Sequence, residues 1–258
     1  MRQRQPWRGT GVVAPVLLAA ALLLGWGLTT NLSAIPSYLL PAPSQVAARL
    51  VADLASGALL PYLGVTLAEA LGGCVVGALV ALPLAVAIHR LGWFRAAVQP
   101  FLGATQAIPA IALAPLLVLW IGYGWWAVVV LCSLMVFFPI LVSSVLGLRH
   151  VDGDVLKAAR IDGADSWHLL TDIELPLAWP AVLAGLRNGF TLSITGAVVG
   201  EMVMGGRGLG MVLTVQRDAV DTAGMFATLT VLCAVAAGLY SLIYTWERRS
   251  QTIEALTT

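Results

Sequence analysis

Long apolar runs separated by short polar segments leave this chain few folds to choose from. An α-helix needs about 20 consecutive apolar residues to cross the roughly 30 Å hydrocarbon core of a bilayer. Runs of that length fall near 12–30, 64–88, 98–121, 126–148, 180–203 and 224–246. Only 10% of the residues are charged, where soluble domains carry about 25%. With 59% hydrophobic residues, the chain has too little polar surface to stand in water. The expected fold class is all-α: a polytopic membrane protein, one transmembrane domain over 1–258 with about six helices. Arg2, Arg4 and Arg8 before the first run also resemble the start of a signal peptide. No clear small-x-small cleavage site follows, so a retained helix is expected.

Basic residues set the expected orientation, because cytoplasmic segments carry the excess of Lys and Arg. With the N-terminus inside, the cytoplasmic segments hold ten: Arg2, Arg4, Arg8, Arg90, Arg95, Arg149, Lys157, Arg160, Arg248 and Arg249. The outer segments hold three: Arg49, Arg207 and Arg217. Arg187 falls inside a span, near the inner end, where its stem can snorkel to the surface. Six spans return the C-terminus to the side of the N-terminus. Both termini and the segment 149–179 are therefore expected in the cytoplasm.

That segment holds the only lysine and the longest polar interval of the chain. Asp154 can cap a short helix from Val155 to Ile161. Gly163 supplies the left-handed turn that ends it. Asp165 or Ser166 can cap a second helix with Trp167, Leu170 and Ile173 on one face. Pro176 is expected to stop that helix, and Pro180 to open the next span. Ala158 and Ala159 leave one face of the first helix nearly bare, open to close approach by another protein. The other reading of these residues is a helix-turn-helix loop packed on its own bundle. The pattern is Lys157-Ala158-Ala159, three residues, Gly163, nine residues, then Ile173-x-Leu175-Pro176. It resembles the cytoplasmic coupling loop of the membrane subunits of bacterial ABC importers, where the first residue is Glu. Only Lys157 departs from that form.

The resemblance extends from Pro41 to Arg249. Gln106-Ala107-Ile108-Pro109, Ala114-Pro115 through Trp120, Gly122-Tyr123-Gly124, Phe138-Pro139, Gly196 to Glu201 and Gly208-Leu209-Gly210 carry it. These phrases are similar to the binding-protein-dependent permease branch that serves nitrate, sulfonates, taurine and thiamine-precursor pyrimidines. The wording around Gln106 and Gly196 looks most like the pyrimidine members. Prolines inside spans break the helix ladder, and such breaks often line a path.

In the fifth run Asn188, Thr191 and Thr195 share one face at i, i+3 and i+7. Such a stripe either bonds neighbouring helices or faces a water-filled route, and the route is the preferred reading. Glu201 lies about 32 Å beyond Pro180 at 1.5 Å per residue, near the outer interface. There it contributes to an outer gate or pairs with Arg207. Translocation-path or gate candidates are thus Gln106, Asn188, Thr191, Thr195 and Glu201. Ser44 can cap an outer helix that lies along the membrane or simply connects spans. Gly73 and Gly77 form a small-xxx-small pair for close helix packing. Cys74, Cys132 and Cys233 show no metal-ligand spacing and read as small packing residues.

A P-loop needs a lysine after its glycines, and Lys157 is followed by alanine. The chain therefore has no ATPase site, and no cofactor or metal is expected in it. The resemblance implies a type I ABC importer permease fold. It also implies two ATPase subunits carrying ATP and Mg, a second permease copy making a homodimer, and a periplasmic or lipid-anchored binding protein. Membrane lipid surrounds the chain, and no nucleic-acid partner is expected at a net charge of +1. The expected location is the bacterial inner membrane. The alternative, an ion-coupled secondary transporter, needs an acid or unwound site near mid-membrane. Glu69 and Glu201 both fall near outer ends. A neutral stripe mildly favours an uncharged pyrimidine precursor over a sulfonate or nitrate.

Overall fold

Within a bilayer only a helix or a closed barrel satisfies every backbone polar group, and every regular element among the described residues is helical. The computed structural model describes residues 10–32, 35–106 and 109–257, with side chains described over 13–32, 35–101, 109 and 111–245. In order, the elements are α1 (Thr10–Leu32), α2 (Pro43–Ser56), α3 (Leu60–Arg90), α4 (Gly92–Gln106), a 3-10 turn (Ala110–Leu113) and α5 (Ala114–Ile121). Then come α6 (Trp125–Arg149), α7 (Gly153–Ile161), α8 (Ser166–His168), a π-helical turn (Leu169–Glu174), α9 (Leu175–Met204), α10 (Leu209–Asp218) and α11 (Thr222–Thr257).

Five helices among the described residues are long and apolar enough to cross a membrane: Val13–Leu32, Leu60–Arg90, Trp125–Arg149, Ser166–Met204 and Thr222–Thr245. The run at 98–121 is not one helix. Pro109 is extended, with φ −67° and ψ 103°, and the chain restarts as the 3-10 turn before α5. Proline lacks the N–H that would continue the ladder. Phe138-Pro139 behaves otherwise: α6 runs through Pro139 without a break. One missing bond does not interrupt a helix braced by α3 and α9.

The chain divides into two compact units. In the first, Met1–Leu59 with Leu213–Val231, the side chains of α1 are exposed almost throughout, as suits a helix clothed in lipid. The Trp26 ring lies 5.5 Å from that of Phe226, and Trp26 Nε1 donates to the Pro41 carbonyl at 3.1 Å. The cap of α2 is Ala42 rather than Ser44. Pro43 takes the first turn, where no N–H is needed, and the Gln45 side chain accepts from the Ala42 N–H at 3.1 Å. Arg49 pairs with Asp53 at 3.1 Å and with Asp221 at 3.0 Å.

In the second unit, Leu60–Val212 with Leu232–Thr258, α6 packs against both α3 and α9. Cys74, Ala81, Ala85 and Ile88 of α3 meet Val136, Ile140, Leu141 and Val145 of α6. Lipid tails are as apolar as these side chains, so close packing rather than escape from water holds the helices together. Gly73 and Gly77 permit that approach. A Cβ at Gly73 would overlap Cys132, and one at Gly77 would lie 3.0 Å from the Ser133 carbonyl. On the other face of α6, a Cβ at Gly147 would stand 2.6 Å from Ala181 of α9.

Candidate functional site

At one end of the second unit lies the polar segment between α6 and α9. Asp152, not Asp154, caps α7, its carboxylate accepting the Asp154 N–H at 2.9 Å. Asp154 sits inside the first turn and pairs with Lys157 Nζ at 2.8 Å. The turn at Gly163 has φ +94°, and the Ala164 N–H closes it on the Ala159 carbonyl at 3.0 Å. Asp165 caps α8 by accepting the N–H groups of Trp167 at 2.9 Å and His168 at 2.8 Å. Those donors, the His168 N–H first and its ring next, hold the exposed Asp165 carboxyl below the ordinary range. No side chain of α7 is buried. Ala158 is exposed and Ala159 half-exposed, while Ile161 at 86% and Trp167 at 67% stand out bare.

The second helix does not end at Pro176. It passes from α8 through the π turn directly into α9, with Pro176 in the first turn of α9. The widened turn explains this: the Leu175 N–H reaches back to Leu170, one residue further than in an α-helix. The ladder is already re-spaced where the proline would break it. The same turn splits the expected face, because Leu170 is buried while Trp167 is exposed and Ile173 lies between. Sequence reasoning missed Glu174, the variable position of Ile173-x-Leu175-Pro176. It is 3% exposed and forms an ion pair with Arg90 at 2.9 Å. An acid flanked by Ile173 and Leu175 was the available signal.

On α9, Asn188 and Thr195 are exposed and Thr191 is half-buried. Both threonine hydroxyls bond back to their own helix, Thr191 to the Arg187 carbonyl at 3.1 Å and Thr195 to that of Thr191 at 3.5 Å. The adjoining face, with Gly185, Gly189 and Gly196, is buried against α6. The side chain of Gln106 lies outside the described residues. The Arg187 guanidinium sits over Tyr240 at 4.9 Å and Tyr244 at 5.3 Å rather than on a free snorkelling stem.

Glu201 does not join that stripe and is not paired to Arg207, which is exposed. It is 1% exposed and accepts the Gly210 N–H at 2.5 Å. The carboxyl of Glu69 on α3, 1% exposed, lies beside it. Thr66, also on α3, accepts the Leu209 N–H at 2.8 Å. The loop wraps this cluster so tightly that a Cβ at Gly208 would strike both Glu201 and Thr66. Glycine is required here for close approach. Glu201 therefore ties α9, α10 and α3 together. Glu69 and Thr66 belong to the same knot; from sequence Glu69 reads only as an acid near an outer end, and Thr66 is not singled out.

Apolar spanning helices, a close-packed α3–α6–α9 centre and one structured polar segment at its end define a multi-pass helical membrane protein. The family model described as binding-protein-dependent transport system inner membrane component matches residues 73–250. The chain belongs to that family and is a permease subunit of an ABC importer. It is 38% identical over 246 residues to the riboflavin transport system permease protein RibX of Chloroflexus aurantiacus, covering 95% of this chain and 91% of that protein. It is 30% identical over 249 residues to the formylaminopyrimidine transport permease protein ThiX of Halalkalibacterium halodurans, covering 94% and 99%. A chain of the MetNI methionine ABC transporter, in inward-facing conformations, has the same fold. Its TM-score is 0.65 at 19% identity, over 74% of this chain and 95% of that one.

Proposed function

We propose that this permease carries a small, uncharged nitrogen heterocycle across the inner membrane, docking its ATPase through Lys157, Ala158, Ala159, Gly163, Ile173, Leu175 and Pro176. The observation that carries the docking half is α7, a capped nine-residue helix with no buried side chain. A helix that buries none of its side chains in its own chain gains little from its tertiary surroundings and is suited to a partner. In this reading two ATPase subunits bind ATP and Mg, and two permease copies flank the path. A soluble binding protein delivers the solute from outside, and the N- and C-termini lie in the cytoplasm. Closure of the ATPases would rock the packed helices from inward- to outward-facing.

The substrate reading rests on the neutral face of Asn188, Thr191 and Thr195. It also draws on two relatives named for nitrogen heterocycles, riboflavin and formylaminopyrimidine. A neutral ring can pass such a face without a buried counter-charge. The test is uptake of labelled riboflavin and of a labelled pyrimidine precursor by cells expressing the whole transporter, with and without this gene. Uptake of either should depend on the gene and stop when ATP is depleted. Uptake restricted to a sulfonate, or one that follows the proton gradient instead of ATP, would overturn the reading.

A further inference from the structure

Arg90 stands at the end of α3 beside the joint between α8 and α9. Its Nη2 donates to the Ser166 carbonyl at 2.8 Å and lies 2.9 Å from Glu174 Oε2. Those two acceptors lie at opposite ends of the α8–π stretch, so one guanidinium braces that stretch along its length. His89 Nε2 approaches the same carboxylate oxygen at 3.4 Å. Arg95 fastens the end of α3 in turn, donating to the Ile88 carbonyl at 3.2 Å and the His89 carbonyl at 2.6 Å. Glu174 is almost wholly buried and Arg90 about a quarter exposed, so the pair is poorly screened. A buried ion pair is a costly way to gain stability, and its best-attested use is fixing one arrangement of the parts it joins.

We propose that Arg90 and Glu174 are positioning residues that make α3 move with the coupling segment when the ATPases close. This rests on the docking role given above to that segment. The π turn lets α8 bend against α9, since its hydrogen bonds are re-spaced there. Without a second attachment, movement of α7 and α8 would be absorbed at that turn. The Arg90 bridge bypasses the turn and carries the displacement into α3, whose Ala81, Ala85 and Ile88 are locked into α6.

The experiment uses the complete permease–ATPase complex in lipid nanodiscs. A spin label is placed at Leu79→Cys on the exposed face of α3, and Cys233→Ser removes the exposed native thiol. ATP with vanadate should alter the label's spectrum in the parent. Glu174→Gln should keep the ATPase bound but lose that response, and the swap Arg90→Glu with Glu174→Arg should restore it. Should Glu174→Gln fail to assemble, Arg90→Lys takes its place, keeping the charge but losing the double reach, with a reduced response expected. A parent-sized response in Glu174→Gln or Arg90→Lys, no response in the parent, or no restoration by the swap would each overturn the proposal. Failure of the docking reading looks different: the ATPase would not copurify with the parent, or would stay bound to Ala159→Asp.

Discussion

At the scale of single residues, Gly163 and Lys157 show what the backbone and its nearest charges decide. A Cβ at Gly163 would meet nothing within 4 Å, so crowding is not what selects glycine there. The angle is, because φ +94° is a conformation that branched side chains avoid. Gly163→Val should cost about 1–2 kcal/mol locally and misaim α7. Uptake should be lost while membrane insertion, read by blotting membranes, is unchanged. Lys157 replaces the usual glutamate of the coupling pattern, and Asp154 in the same helix supplies its counter-charge. Both side chains are mostly exposed, so the pair is worth at most about 1 kcal/mol. That weak pair leaves the lysine free to serve the docking role, so Lys157→Glu should weaken ATPase copurification, and unchanged copurification would remove Lys157 from the docking set. Loss of the ATPase from that variant would show that an acid on the partner also reads Lys157.

At the scale of elements, the joints carry the information. Pro109, which is exposed, interrupts a run, whereas half-buried Pro139 leaves α6 whole between α3 and α9. The knot beyond α9 is a joint of another kind, in which Glu201 holds the first turn of α10 and meets α3. Glu201→Ala should remove the buried bond to the Gly210 N–H at a cost of about 1–3 kcal/mol. Arg207→Ala should cost nothing measurable, because Arg207 is exposed. Thermal unfolding of the purified proteins, followed by size-exclusion fluorescence, separates the two. Equal losses would return Glu201 to a partnership with Arg207. Gly208→Ala should destabilise as Glu201→Ala does, since its methyl would enter the space the carboxyl occupies.

For the whole molecule, the balance of basic residues predicts which end faces the cell interior, and labelling can test it. Ser44, Asp165 and Asp218 are all exposed, so differences in reactivity report the side of the membrane rather than burial. In intact cells, impermeant thiol reagents should modify Ser44→Cys and Asp218→Cys and leave Asp165→Cys untouched until the membrane is opened. Labelling of Asp165→Cys from outside would reverse the orientation and take the docking proposal with it.

The sequence by itself determined the helical membrane fold, because apolar length and backbone satisfaction leave a chain like this no other structure. It also marked the turn at Gly163, whose signal is local. It did not determine where each helix ends, since a proline's effect depends on its neighbours. Pro176 reads as a stop and lies inside a continuous helix because the turn before it widens. Nor could it join Arg90 to Glu174, or Glu69 to Glu201, pairs far apart along the chain. From sequence Glu201 reads as a gate residue or a partner of Arg207, and each of the other acids as ordinary polarity near a helix end. Only tertiary packing buries them, and burial turns a routine carboxylate into a tie between helices.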